Sequence, residues 1–303
     1  MHERVTVIAE IGSNYNGDLA LAREYVRAAR ECGADVVKFQ TLRKNKLVAP
    51  RLYSGDGAVS ENPVYRNFAS LELPDEWHYE LKELADQLGI EFMSTPFYLE
   101  AVELLESVGV RSYKIASGDI TFRPLLDKIG RTGKRVVLST GASADEEISA
   151  ALQVLKKAGA MDVALLHCVS NYPPAWDEMN LRAIASMQAR FGCPIGISDH
   201  TPGCLVPLSA VALGASLIEK HVTFDRSQNG PDHAFAMTPG EFAEMVAQVR
   251  LLQGALGDGH KQPTASELAK QRRIRRGVYN PRTLEPQEGE EGLWLRPAPE
   301  NAP

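Results

Sequence analysis

Two histidines in this 303-residue chain stand just past apolar runs, His200 in GISDHT and His221 in LIEKHVT. The runs cover residues 193–197 and 217–218. The apolar stretch 206–216 between them reads as a buried helix, giving a strand–helix–strand unit with a histidine at each strand end. Parallel neighbouring strands place both imidazoles on one rim, where they can share a metal ion. Asp232, in GPDHA, follows near the same rim. Other chemistry-bearing residues recur at the ends of apolar runs: Glu10; Lys38 and Gln40; Thr95; Lys114, Ser117 and Asp119; Ser139 and Thr140; Ser170. The lysines and hydroxyls suit an anion, phosphate or carboxylate. Glu10, Asp119 and Asp232 offer proton transfer or further metal coordination. The chemistry implied is a divalent metal polarising one substrate while lysines hold a second, phosphorylated one.

Structural roles compete with these. Lys38 and Lys114 can pair with Glu10 or Asp119 simply to avoid burying bare charge. Thr95 can cap a helix, Asn14 and Tyr15 can shape a turn, and His167 reads as a packed core histidine.

The elements that must position these residues alternate. Strands are expected at 5–11, 35–41, 91–96, 112–117, 135–141, 163–169, 193–197 and 217–218. Helices are expected at 19–33, 73–89, 98–109, 122–133, after SADEE, at 179–192, 206–216 and 239–256. Strict alternation predicts a parallel sheet. Eight units of about 30 residues predict a (β/α)8 TIM barrel, whose catalytic residues lie at the C-terminal strand ends. No GxGxxG follows the first strand, which argues against dinucleotide binding. Residues 42–71 read as a long irregular loop, of a length that is usually functional or disordered. The expected division is a barrel over 1–260, then a short helix and an extended tail over 261–303.

Hydrophobic residues make up 44% and charged residues 24%, ordinary values for a water-soluble globular chain. A net charge of -6 argues against wholesale nucleic-acid binding, so any anion must meet a local basic pocket. The four cysteines show no CxxC spacing and read as reduced thiols of a cytoplasmic protein. Neither a signal peptide nor a membrane-spanning run is expected.

AEIGSNYNGD, VKFQT, FMSTPF, YKIASGD, LSTG, HCVSNYP, GISDHT, LIEKHVTFDR and GPDHA occur in that order. Together they resemble the sialic acid synthase family, the phosphoenolpyruvate-dependent nonulosonate synthases, over roughly residues 5–260. The resemblance implies condensation of phosphoenolpyruvate with an open-chain aldose such as N-acetylmannosamine, giving a nonulosonic acid and phosphate. It implies that Lys38, Thr95, Lys114, Ser117 and Ser139 hold phosphoenolpyruvate, with Gln40 nearby and Ser170 and Tyr172 on the sugar side. It implies His200 and His221 as ligands of Mn2+ or Mg2+, with Glu10, Asp119 and Asp232 orienting substrate or moving protons. A homodimer is expected. Two departures stand out. The family usually has His where this chain has Tyr15, and only a remnant of its C-terminal antifreeze-like domain, RRGVYNPRTLEPQEGEEGLWLRP, is recognisable. Two alternatives remain: condensation with another aldose to a shorter 3-deoxy-2-keto acid, or a catalytically silent barrel that binds a sugar or a protein.

Overall fold

The computed structural model describes residues 4–55 and 57–297. Along the chain the first strands are β1 (Thr6–Gly12), β2 (Val36–Thr41), and a short exposed pair, β3 (Arg51–Tyr53) and β4 (Val59–Glu61). Then come β5 (Glu91–Pro96), β6 (Ser112–Ile115), β7 (Arg135–Ser139), β8 (Val163–Cys168), β9 (Ile195–Asp199) and β10 (Leu217–His221). All but β3 and β4 pair in parallel, and they close in the order β1-β10-β9-β8-β7-β6-β5-β2. This is the expected (β/α)8 TIM barrel. Two strands run further than expected: β9 reaches Asp199 and β10 reaches His221. The loop expected over 42–71 carries the β3–β4 hairpin and short helical turns at Lys44–Leu47, Pro63–Asn67 and Phe68–Leu71.

Side chains alternate across a strand, so in a barrel one parity points inward and the other toward the helices. Ile8, Val36, Met93, Val137, Ala164, Leu166 and Leu217 form a buried apolar cluster of their own inside the barrel. The opposite parity, with Val7, Val37, Phe39, Phe92, Tyr113, Leu138, Ile197 and Ile218, joins the helices in the main core. Each large apolar side chain fully buried there contributes about 1.5–3 kcal/mol. On six of the strands that build the inner cluster, the next inward positions are Glu10, Lys38, Thr95, Ser139, Cys168 and Glu219. A sealed apolar floor thus lies directly beneath a polar layer.

The helices start and stop where the local chemistry dictates. Asp18 accepts hydrogen bonds from the Ala20 and Leu21 N–H groups and opens Leu19–Glu31. Gly89, at φ 70°, ends Asp75–Leu88 in the left-handed conformation. Among the described residues no helix is long and apolar enough to cross a membrane.

The chain divides into two units, one ending at Leu256 and the other beginning at Gly257. In the second, Thr264 and Glu267 form a capping box that opens helix Ala265–Ile274. The segment expected to be an extended tail instead folds on itself. β11 (Gly277–Tyr279) and β12 (Leu293–Leu295) pair antiparallel, with Val278 opposite Trp294. An Asn280 turn starts the return, its side chain accepting from the Arg282 and Thr283 N–H groups. Residues 298–303, the end of the expected tail, lie outside the described residues.

Candidate active site

A cavity of about 530 Å³ is lined by residues from the C-terminal ends of the barrel strands. Glu10, Lys38, Gln40, Thr95, Lys114, Ser117, Ser139, Ser170, Tyr172, His200 and His221 all border it. Asp119 and Asp232 do not. Asp232 lines a second cavity of about 1050 Å³ that shares Gln40 with the first. Asp119 ends the short turn Ser117–Asp119 after β6, with one carboxylate oxygen buried and unpartnered.

The lower part of the site is ionic. Lys38 Nζ lies 2.8 Å from Glu10 and 3.4 Å from Glu219, and it donates to Thr95 Oγ1 at 3.3 Å. Thr95 therefore faces the lysine and caps no helix. Gln40 donates to the other oxygen of Glu10 at 2.9 Å. Lys114 Nζ donates to Ser139 Oγ and to the Ile115 carbonyl, and it sits 4.0 Å from Glu219. Ser198 donates to Glu219 at 3.0 Å.

Burial penalises every charge here, and the neighbours decide which survive. Desolvation would raise Glu219, but Lys114 and Lys38 overcome it and hold the carboxyl below its ordinary value. Burial raises Glu10 despite Lys38. Burial works against Lys38 as well, yet Glu10 and Glu219 leave it above its usual value, while Lys114 is lowered. Lys38 and Glu219 are thus favoured in their charged forms, while Lys114 and Glu10 are pushed toward neutrality.

The serines close in because Gly141 lets them. A Cβ there would stand 2.1 Å from Ser170 Oγ and 2.9 Å from Ser117 Oγ, and the Gly141 N–H donates to Ser117 Oγ at 2.9 Å.

Above the ionic layer the rings of His200 and His221 lie 5.2 Å apart, flanked by Phe235 at 5.6 and 5.0 Å and by Tyr172 at 4.4 Å from His200. Both Nδ1 atoms are buried without a partner. Burial lowers His200 to about 4, and burial, with His200 beside it, holds His221 well below its ordinary value. Both rings are therefore neutral, the form that ligates a metal. Asp232 Oδ2 is 3.8 Å from His221 Nδ1. Gly12, at φ 56°, allows this approach, since a Cβ there would fall 2.6 Å from Asp232 Oδ2. Burial, with Glu10 adding to it, raises Asp232 to about 7. Among the described residues no group of three or more His, Cys, Asp or Glu converges as a metal centre. The two orphaned imidazole nitrogens are what fits a divalent cation.

A model of the NeuB family matches residues 25–261. The chain belongs to the NeuB family. It is 42% identical to the N,N'-diacetyllegionaminic acid synthase of Legionella pneumophila over 92% of this chain and 80% of that one. It is 35% identical to the human N-acetylneuraminate-9-phosphate synthase over 90% and 77%. The crystal structure of an N-acetylneuraminic acid synthetase from Leptospira borgpetersenii, in complex with citrate, superposes with a TM-score of 0.81 at 35% identity, covering 88% of this chain and 90% of that one. Like these named synthases, the NeuB chain is a condensing enzyme of the transferase type.

Sequence reasoning missed several residues of this NeuB site. Glu219 lies between both lysines, Ser198 fixes it, Cys168 borders the cavity and Phe235 backs the histidines. The signal for Glu219 was present: parity from Leu217 turns residues 219 and 221 inward. Ending the strand at 218 hid it. His167, expected in the core, is half-buried and bonds the Met179 carbonyl through Nε2 at 2.8 Å. Asn14 and Tyr15 do more than shape a turn. Asn14 donates to the Val222 carbonyl at 2.9 Å, and the Tyr15 hydroxyl donates to the Leu71 carbonyl at 3.1 Å.

Proposed function

We propose that this enzyme condenses phosphoenolpyruvate with an open-chain, N-acetylmannosamine-like aldose to give a nonulosonic acid and phosphate. The observation that carries the reading is the pairing of Lys38 and Lys114 deep in the cavity with two neutral imidazoles above them, each with a buried, unpartnered Nδ1. In this reading the lysines, Thr95, Ser117 and Ser139 hold the phosphate and carboxylate of phosphoenolpyruvate. Charge-assisted contacts of that kind contribute about 1.5–3 kcal/mol each. Ser170, Tyr172, Gln40 and Asp232 border the space left for the aldose. His200 and His221 would hold a divalent cation, manganese or magnesium, whose Lewis acidity polarises a carbonyl oxygen.

The enol carbon attacks the aldehyde carbon, and the new C–C bond leaves an electron-deficient centre bearing the phosphate ester oxygen. Water adds there, and the proton it loses balances the one taken up by the alkoxide formed from the aldehyde oxygen. The C–O bond to phosphate then breaks as the new hydroxyl gives its proton to the departing phosphate, leaving a keto group and inorganic phosphate. Burial raises Asp119 to about 6 and Asp232 to about 7, which suits them to exchange protons near neutrality, and it raises Glu10 as well.

The test is phosphate release from phosphoenolpyruvate across N-acetylmannosamine, its 6-phosphate, a di-N-acetylated aldose, unacetylated hexoses and pentoses, with Mn2+ or Mg2+ supplied. Turnover restricted to N-acylated hexoses is the expected result. Turnover only with shorter or unacetylated aldoses would redirect the reading to a 3-deoxy-2-keto acid product, and none with any aldose would leave a binding barrel.

A further inference from the structure

Each histidine of the site is preceded by a charged residue, Asp199 before His200 and Lys220 before His221. Alternation sends these two to the outer face of the barrel, where they are cross-strand partners in the β9–β10 register. Lys220 Nζ lies 2.5 Å from Asp199 Oδ2 and also donates to the Thr201 carbonyl. Asp199 in turn accepts from the Thr201 N–H at 2.9 Å and from its hydroxyl at 3.1 Å. Asp199, Thr201 and Lys220 are each exposed by 1% or less.

This arrangement is costly for a surface that packs against helices. A buried ion pair seldom stabilises a fold more than apolar side chains of the same size would. What it specifies is geometry. Lys220 reaches the residues on both sides of His200 while itself standing next to His221. The far side of His221 is fixed separately, by the Val222 N–H donating to the Glu10 carbonyl at 2.9 Å and the Met237 N–H donating to the His221 carbonyl at 2.9 Å.

We infer that Lys220 and Asp199 are positioning residues for the metal pair: an ion pair outside the barrel sets the spacing of the two imidazoles inside it. The inference rests on the metal reading of His200 and His221 given above. Lys220 and Asp199 touch neither substrate nor cation and act through the strand ends that carry the histidines.

The experiment measures manganese ion binding to the metal-stripped full chain by calorimetry, well below each variant's melting temperature. Phosphoenolpyruvate affinity in chelator is measured in parallel. Lys220→Met is expected to weaken manganese binding by at least tenfold. Asp199→Asn, which keeps the shape and loses the charge, is expected to weaken it severalfold. Both should keep phosphoenolpyruvate affinity within twofold, because the lysine cradle stands on other strands. Asp199→Asn decides alone if Lys220→Met does not fold. Manganese affinity within twofold of the parent in a folded variant overturns the inference. A drop in melting temperature with unchanged manganese affinity does the same, by making the pair merely structural. His200→Ala separates this failure from that of the metal reading. If the parent binds manganese and His200→Ala does not, only the positioning role has failed. If the parent itself binds none, both fall.

Discussion

At the scale of single residues, the site is governed by which charges survive burial. Lys114 and Glu219 face one another at 4.0 Å, but they act on an incoming anion with opposite sign. Lys114→Met removes a donor and a positive charge, so the dissociation constant for phosphoenolpyruvate should rise tenfold or more, the equivalent of about 1.4 kcal/mol. Glu219→Gln removes a negative charge facing the same lysines and keeps a polar group for Ser198. Phosphoenolpyruvate should then bind severalfold more tightly. Calorimetry in chelator measures both. Equal weakening in the two variants would mean that Glu219 is needed to hold the lysines in place, and that its charge does not oppose the anion.

At the scale of elements, helix Asp75–Leu88 meets the barrel through His78, which is completely buried. Its Nδ1 lies 2.9 Å from the Pro74 carbonyl, which can only accept, so Nδ1 carries the proton and Nε2 accepts from the Thr41 hydroxyl at 2.8 Å. Burial lowers this imidazole from 6.5 to about 4. The unfolded chain therefore takes up the proton first as pH falls. The stability tied to a neutral His78 is complete above pH 6.5 and lost progressively down to about pH 4. The loss amounts to about 3 kcal/mol. Urea unfolding between pH 7 and 4 should show a shallower decline for His78→Gln than for the parent. An identical slope would show that His78 titrates alike in both states.

The same scale explains what the sequence made legible. Barrel strands covered on both faces read as near-continuous apolar runs, so β1, β2 and β5 were plain, and with them Glu10, Lys38 and Thr95. β10 was cut short because Glu219 and Lys220 look like the end of an apolar run. In the closed barrel one is neutralised from inside by the lysines and the other from outside by Asp199. Those partners come from β2, β6 and β9, and pairings between side chains of different strands leave no trace in local pattern. The β11–β12 hairpin was hidden for a related reason. Three-residue strands separated by a polar, Gly- and Glu-rich stretch carry too little alternation to register.

At the scale of the whole molecule, the apolar floor beneath the polar layer governs traffic. Ile8, Val36, Met93, Val137, Ala164, Leu166 and Leu217 are almost wholly buried and close the barrel from below. A molecule held by the lysines therefore lies deeper than one beside the histidines. An aldose seated beside His200, His221 and Asp232 would stand above a molecule held by Lys38 and Lys114. The NeuB chain should therefore follow a compulsory order: phosphoenolpyruvate first, aldose second, with the deeper product released last. Steady-state inhibition reads this directly. A non-reacting aldose analogue should inhibit uncompetitively against phosphoenolpyruvate, since it can cork only a barrel already filled; a competitive pattern would reveal a second entrance.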